Sequence, residues 1–313
     1  MGWNPILRAT GRAAPAWTRP FRGRPPRGGG GVSVLLSFGH GYSARALVPL
    51  LDGWRVVGTT RSVEKAKALR AEGVEPVMFG DPVPLSETTH VMTSAAPDEG
   101  GDPVLRTYGD ALRRHLRPGQ WVGYLSTTGV YGDHGGGWVD EETPLTPSTK
   151  RGEMRVAAEA EWAALCAEAG ADLHVFRLAG IYGPGRGPFA KVRAGTARRI
   201  VKDGQVFSRI HRDDIAQVLA ASLARPHPGG RAYNLCDDDP APPQDVIAHA
   251  AELLGLPVPP AIPYGEAEMT PMARSFYAES KRVRNDRIKD ELGVRLIHPT
   301  YRQGLASLLD EGA

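Results

Sequence analysis

Gly39-His40-Gly41-Tyr42-Ser43-Ala44 is a G-x-G-x-x-A run between an apolar segment and a helix-forming one. Residues of these types at this spacing suit the binding of a pyrophosphate. The first glycine permits a tight turn and the second lets the backbone approach the anion. The small third residue lets helix and strand pack closely, and the helix N-terminus faces the negative charge. A glycine turn alone is a weak signal. Its position after the continuous apolar run Val32-Ser33-Val34-Leu35-Leu36-Ser37-Phe38 supplies the context the motif requires. On this reading Gly39, Gly41, Tyr42, Ser43 and Ala44 contact a dinucleotide.

A site that prefers NAD(H) carries Asp or Glu about 20 residues further on, against the ribose hydroxyls. Here the second strand ends Gly58-Thr59-Thr60-Arg61-Ser62, with no carboxylate. Thr60 and Arg61 suit a 2′-phosphate, so NADP(H) is expected ahead of NAD(H). The competing reading makes Arg61 a solvated helix-start residue. By topology, Asp81 after the third strand would meet the adenine amino group. Ser94, Ala95 and Ala96 after the fourth would flank the cofactor ribose.

The elements that must position these residues follow from periodicity. Strands are expected over 32–38, 55–60, 76–79, 90–94, 121–125 and 172–178, and helices over 43–52, 63–73 and 150–169. In the last, Met154, Ala158, Trp162, Leu165 and Ala169 form one apolar stripe. Strands alternating with helices imply an α/β Rossmann fold, a doubly wound parallel sheet. After Gly183 the alternation weakens to helices over 212–224, 244–254 and 301–309 with Pro-rich links. The expected organisation is a tail over 1–31, a Rossmann core over 32–183, and a small C-terminal α/β substrate lobe over 184–313, interleaved with the core.

Three further segments carry a resemblance. Leu125-Ser126-Thr127-Thr128-Gly129-Val130-Tyr131-Gly132-Asp133 resembles the active-site loop of the extended short-chain dehydrogenase/reductases, which include nucleotide-sugar epimerases and dehydratases. Arg177-Leu178-Ala179-Gly180-Ile181-Tyr182-Gly183-Pro184-Gly185 is similar to that family's loop over the nicotinamide. Ile210-His211-Arg212-Asp213-Asp214-Ile215-Ala216 is similar to its late His-x-Asp-Asp segment. The resemblance spans about residues 32–310 and implies Thr127 as the catalytic hydroxyl.

One family element is missing. The Tyr-x-x-x-Lys pair, followed four residues on by Glu, falls in register with Arg151, Arg155 and Glu159. Arginine, with a pKa above about 12, cannot shuttle the proton that a phenol does. The pattern resembles the atypical, nucleoside-diphosphate-sugar epimerase-like branch. Tyr131 is then the nearest candidate phenol, against a packing role; Tyr182 and Tyr42 are weaker, more suited to covering the cofactor. Arg151 and Arg155, one turn apart, either clamp an anionic substrate or leave Arg155 paired with Glu159 on a solvated face. His40 and His134 read as solvent-facing loop histidines, His134 on a mobile loop with a minor claim as a general acid.

Composition narrows the function classes. Of 313 residues, 41% are hydrophobic and 23% charged, ordinary for a soluble domain. Residues 1–31 hold six arginines and no acid, so removing them from the formal +3 leaves −3 for the rest. That balance gives no nucleic-acid footprint. No segment approaches the roughly 20 apolar residues of a membrane span. The Gly- and Pro-rich opening reads as a dispensable disordered tail rather than a transit peptide. Cys166 and Cys236 lie far apart, so neither a disulfide framework nor a metal site is expected, and the compartment is the cytoplasm. Two function classes stay open: an NAD(P)-dependent oxidoreductase or epimerase-like enzyme with a small anionic substrate, and a non-catalytic, redox-sensing NAD(P)-binding protein. Either would be a monomer or a homodimer.

Overall fold

Residues 32–310 are described in the computed structural model; the expected tail over 1–31 lies outside them. Along the chain, β1 (Val34–Phe38) leads into α1 (Tyr42–Leu47), and β2 (Arg55–Thr60) into α2 (Val63–Ala71). β3 (Glu75–Met78) and β4 (His90–Thr93) follow, then α3 (Pro103–His115) and β5 (Trp121–Thr127). The short β6 (Trp138–Val139) precedes the long α4 (Lys150–Ala169), which returns the chain to β7 (Asp172–Leu178). Beyond it come β8 (Gly180–Tyr182), α5 (Phe189–Arg193), β9 (Arg199–Val201), β10 (Arg209–His211), α6 (Arg212–Ala224) and β11 (Arg231–Leu235). The last described elements are α7 (Pro243–Leu253), β12 (Ala261–Pro263), α8 (Pro271–Phe276), β13 (Arg282–Val283), α9 (Asp286–Asp290) and α10 (Tyr301–Asp310).

Seven parallel strands form the central sheet in the order β11-β7-β5-β4-β1-β2-β3. The chain runs outward from β1 through β2 to β3, then crosses back to lay β4 on the other side of β1. That reversal opens a crevice at the carboxyl ends of β1 and β4, where doubly wound sheets bind ligands. All five residues of β1 are buried, so its apolar run is a strand covered on both faces. One core cluster joins β1, α1 and α6 through Leu35, Leu47, Ile215 and Leu219. A second joins α3 and α4 to the other face through Leu36, Leu112 and Trp162.

Several expected boundaries shift. The helix expected over 43–52 stops at Leu47 and continues as a 3-10 turn, Val48–Leu50. Pro49 lacks the N–H that would bond back to Arg45, so the α-helical ladder ends there. The third strand begins one residue early, and α7 starts at Pro243, a residue tolerated in a first turn. Helices over 150–169 and 212–224 stand where periodicity sets them. Thr149 caps α4 by accepting from Gly152 N–H, and left-handed Gly170 ends it.

The C-terminal part divides between two places. α6 and β11 return to the central sheet, whereas α5, α7 and α10 share a separate core of Phe189, Val192, Val246, Tyr301 and Leu305. β8 pairs with β10, β9 with β12, and β6 with β13. Among the described residues no helix is long and apolar enough to cross a membrane.

Candidate functional site

The glycine loop is fastened on both sides. Gly39 N–H donates to Thr59 Oγ1 at 2.8 Å, His40 N–H to the Thr59 carbonyl at 3.0 Å, and Ser94 Oγ to the Gly39 carbonyl at 2.5 Å. Gly39 has φ 67°, and a Cβ there would lie 3.1 Å from Ala95 N. Both the backbone conformation and Ala95 therefore require glycine at position 39. Ser94 and Ala95, expected beside the ribose, thus also shape the loop itself.

Gly41 differs. Its φ of −116° is open to any residue, and a Cβ would meet only the Gly39 carbonyl, at 3.4 Å. Nothing in the protein's own packing demands glycine there. Its missing side chain leaves a cradle beside the loop backbone, which fits a pyrophosphate. Ala44 is 1% exposed and packs in the core with Leu35 and Leu47, which is the close helix–strand approach a small residue permits. Ser43 is also buried.

At the end of β2, Thr60 is buried and its Oγ1 accepts from Ser62 N–H. Arg61 is exposed, with its guanidinium carbon 5.1 Å from the Phe79 ring centroid. Ser62 rather than Arg61 caps α2. Asp81 is exposed, held through its backbone: its N–H donates to Met78 O, and its carbonyl accepts from the Tyr108 hydroxyl. Ala96 is exposed beyond β4.

Thr127 ends β5, half-buried, and its Oγ1 accepts from Gly129 N–H at 3.2 Å. Its hydroxyl proton is still available to a ligand oxygen. Tyr131 lies on the next turn but faces inward, fully buried. Its hydroxyl donates to Asn234 Oδ1 at 2.7 Å and accepts from Arg177 at 3.0 Å. Burial pushes this phenol up to about 12. The expectation of Tyr131 as a proton carrier is corrected: the group is sealed and both its hydrogen-bonding roles are taken.

The two arginines in place of Tyr and Lys have different surroundings. Arg155 donates to the Tyr124 hydroxyl and the Leu125 carbonyl, both at 3.0 Å, and lies over the Tyr124 ring. Arg151, one turn earlier, is exposed. The alternative Arg155–Glu159 surface pair is absent as well. Glu159 is buried and bound by Arg177 at 2.9 Å, and it accepts from Ser126 Oγ. α4 turns Arg155 and Glu159 toward β5, where they meet Tyr124, Leu125 and Ser126.

Both loop histidines are also corrected. His40 is 5% exposed, neither ring nitrogen has a partner, and burial lowers it to about 4. His134 is half-buried and tied down, with Nε2 3.1 Å from the Tyr131 carbonyl and its N–H on Ser280 O. Tyr182 is buried against His211.

Sequence reasoning missed three features. The buried Glu159–Arg177 pair had no signal beyond an acid in a helix. Arg186 and Arg212 both lie over the Tyr42 ring, 5.7 and 5.1 Å from its centroid. His211, Asp213 and His298 bring potential ligand atoms within 4.8 Å of one another. In that trio His211 Nδ1 already accepts the Asp213 N–H at 3.2 Å, so its lone pair is spent.

Comparison with known proteins agrees with this geometry. A model described as the NAD dependent epimerase/dehydratase family matches residues 110–236. Protein YeeZ of Escherichia coli strain K12 is 31% identical over 226 residues, covering 66% of this chain and 78% of that protein. A solved structure of a functionally unknown conserved protein from Silicibacter pomeroyi shares 59% identity at a TM-score of 0.84, covering 90% of this chain and 99% of that one. The dTDP-glucose 4,6-dehydratase of Bacillus anthracis, solved in complex with NAD, is 16% identical at a TM-score of 0.69, over 90% of this chain and 97% of that one, a likeness of fold. A parallel seven-stranded sheet, a glycine cradle at its switch point and a curated relative matched over most of its length lead to one conclusion: the chain belongs to the NAD-dependent epimerase/dehydratase family.

Proposed function

We propose that the protein is an NAD(P)-dependent oxidoreductase or epimerase-like enzyme that favours NADP(H) and acts on a small anionic molecule. The observation that carries the cofactor choice is Arg61. It is exposed at the end of β2, stacked on Phe79, in a segment without a carboxylate. A guanidinium there suits a 2′-phosphate. The backbone of 39–44 would hold the pyrophosphate, with Tyr42 and Ser43 beside it. Asp81 would reach the adenine, and Ser94, Ala95 and Ala96 would border the ribose.

Nicotinamide, when bound, supplies hydride transfer. The chain's own contribution at the reacting end is Thr127, whose hydroxyl can donate to a substrate oxygen. Arg155 adds a fixed positive charge beside Leu125, two residues before Thr127. The anionic-substrate reading rests on Arg155, with the exposed Arg151 one helical turn before it. Two buried free cysteines, Cys166 and Cys236, accord with a cytoplasmic protein.

A second reading has specific support. Among the described residues, neither Tyr131 nor Tyr124 can carry a proton to the cleft; burial pushes both phenols up to about 12, and both are hydrogen-bonded by arginines. A cofactor-binding protein without turnover, a redox sensor, accounts for that. Titration with NADPH and NADH, followed by single-turnover hydride transfer across carboxylate- and phosphate-bearing carbonyl compounds, separates the two. Tight NADPH binding with no transfer to any member of the panel would favour the sensor; binding of neither cofactor would overturn both.

A further inference from the structure

The loop after β8 is a tight turn pressed onto the glycine loop. Gly183 and Arg186 exchange backbone hydrogen bonds, Gly183 N–H to Arg186 O at 2.8 Å and Arg186 N–H to Gly183 O at 2.9 Å. Tyr42, the residue after the cradle glycine, donates its hydroxyl to Pro184 O at 3.0 Å, across 142 residues of chain. Gly183 sits at φ 152°, and a Cβ there would lie 2.6 Å from the Tyr42 hydroxyl and 3.0 Å from Arg212 Cβ. So the turn, the tyrosine and the start of α6 meet at one point, and only glycine fits between them.

Two cations gather at that point. Arg186, on the turn, and Arg212, the first residue of α6, hold their guanidinium carbons 5.7 and 5.1 Å from the Tyr42 ring centroid. Arg186 is exposed and the Arg212 side chain is 28% exposed, so both remain reachable by a ligand. Their compensation is slight. Among the described residues the only carboxylate near Arg212 is Asp213, at 3.5 Å, and Arg186 is in no ion pair. Two like charges on one ring repel, and the weak cation–π attraction at an exposed site does not neutralise them. A doubly charged anion beside Tyr42 would.

We propose that Arg186 and Arg212 grip the cofactor pyrophosphate from the side opposite the glycine loop, with Tyr42 as the post that aligns both guanidinium groups. This rests on the dinucleotide reading and extends it. Gly41 leaves room on one side of Tyr42; the arginines supply paired N–H donors on the other, in the fork geometry that suits phosphate oxygens. The turn over 183–186 becomes a strap: it must lift from Tyr42 before a dinucleotide can leave, so the Tyr42–Pro184 hydrogen bond slows release.

The test uses the full chain and three probes in calorimetric titrations: ADP-ribose and 2′-phospho-ADP-ribose, which carry the pyrophosphate, and adenosine 2′-monophosphate, which lacks it. Arg186→Gln and Arg212→Gln are each expected to weaken both pyrophosphate probes by roughly ten- to a hundredfold and to leave adenosine 2′-monophosphate unchanged. Tyr42→Phe keeps the ring and removes the tether, and is expected to raise the NADPH dissociation rate severalfold. Wild-type affinity for the pyrophosphate probes in both arginine variants overturns the grip, as does an equal loss for all three probes, which marks a structural role. Because Arg186 is exposed, its variant decides the matter if Arg212→Gln fails to fold. Failure of the wild type to bind any probe overturns the dinucleotide reading itself, a result the variants alone cannot produce.

Discussion

Arg177 and Glu159 meet at 2.9 Å beneath the end of β5, their side chains 9% and 8% exposed. The pair is the centre of a buried network: Ser126 donates to Glu159, and Arg177 also donates to Tyr131, which donates in turn to Asn234. It ties α4 to β5, β7 and β11 directly under Thr127. We expect Glu159→Gln to leave Arg177 buried without a counter-charge and to cost about 3–5 kcal/mol in denaturant unfolding. A joint Glu159→Leu, Arg177→Met replacement should recover most of that loss, since two well-packed apolar groups leave no stranded charge. A loss under about 1 kcal/mol in the single variant would mean that water reaches the pair.

Gly41→Val should fold as the wild type does, because a Cβ meets only one carbonyl at ordinary contact distance. It should abolish NADP(H) binding, since the added side chain fills the cradle. Thermal unfolding and cofactor titration on the same sample check both halves. Undiminished affinity in a folded variant would sink the assignment of this loop. Gly39→Ala, by contrast, is expected to disturb folding because of its positive φ and the nearby Ala95 backbone.

Cofactor choice should turn on Arg61. Removing a charge-assisted contact to the 2′-phosphate in Arg61→Ala should cost about 1.5–3 kcal/mol, or roughly 10- to 150-fold in NADPH affinity. NADH affinity should barely move. Equal weakening of the two cofactors would identify Arg61 as a structural cap on Phe79 and remove the support for NADP(H).

Stability should fall in mild acid. Burial lowers His40, His90 and His174 to about 4, against an ordinary value near 6.5. In His174, Nδ1–H donates to Asp172 O and Nε2 accepts the His227 N–H, so protonating Nε2 would set one N–H against another. A depressed folded-state value contributes stability above about 6.5 that is lost as the pH drops toward 4, by roughly 3 kcal/mol at most for each ring. Melting temperatures measured from pH 7.5 down to 4.5 should therefore decline steadily. A flat profile over that interval would show that these rings take up protons in the folded protein.

Some of this molecule was legible locally. The apolar run of β1, the glycine turn after it and α4 with its Thr149 and Gly170 caps are short-range features. Their signals lie within one strand, one turn or one helical period. The departure from Tyr-x-x-x-Lys at Arg151 and Arg155 was equally plain, since residue type and register are enough to see it. What those arginines touch was not.

Side-chain environment was decided by pairings between distant parts of the chain. His40 lies in a glycine loop, where exposure is the natural expectation; it is buried because Gly58 on β2 leaves space for its side chain, a Cβ there coming within 2.8 Å of His40 Cβ and 2.9 Å of its ring carbon Cγ. Tyr131 finds Asn234 across 103 residues, and Tyr42 finds Pro184 across 142. The amino-acid sequence by itself determined six of the seven central strands, α4 and the glycine turn, because backbone sterics and hydrophobic period act over a few residues, whereas α3 and β11 went unread. Only the tertiary structure decided which phenols are sealed and what each arginine touches. Those outcomes depend on desolvation and on partners that chain proximity does not encode.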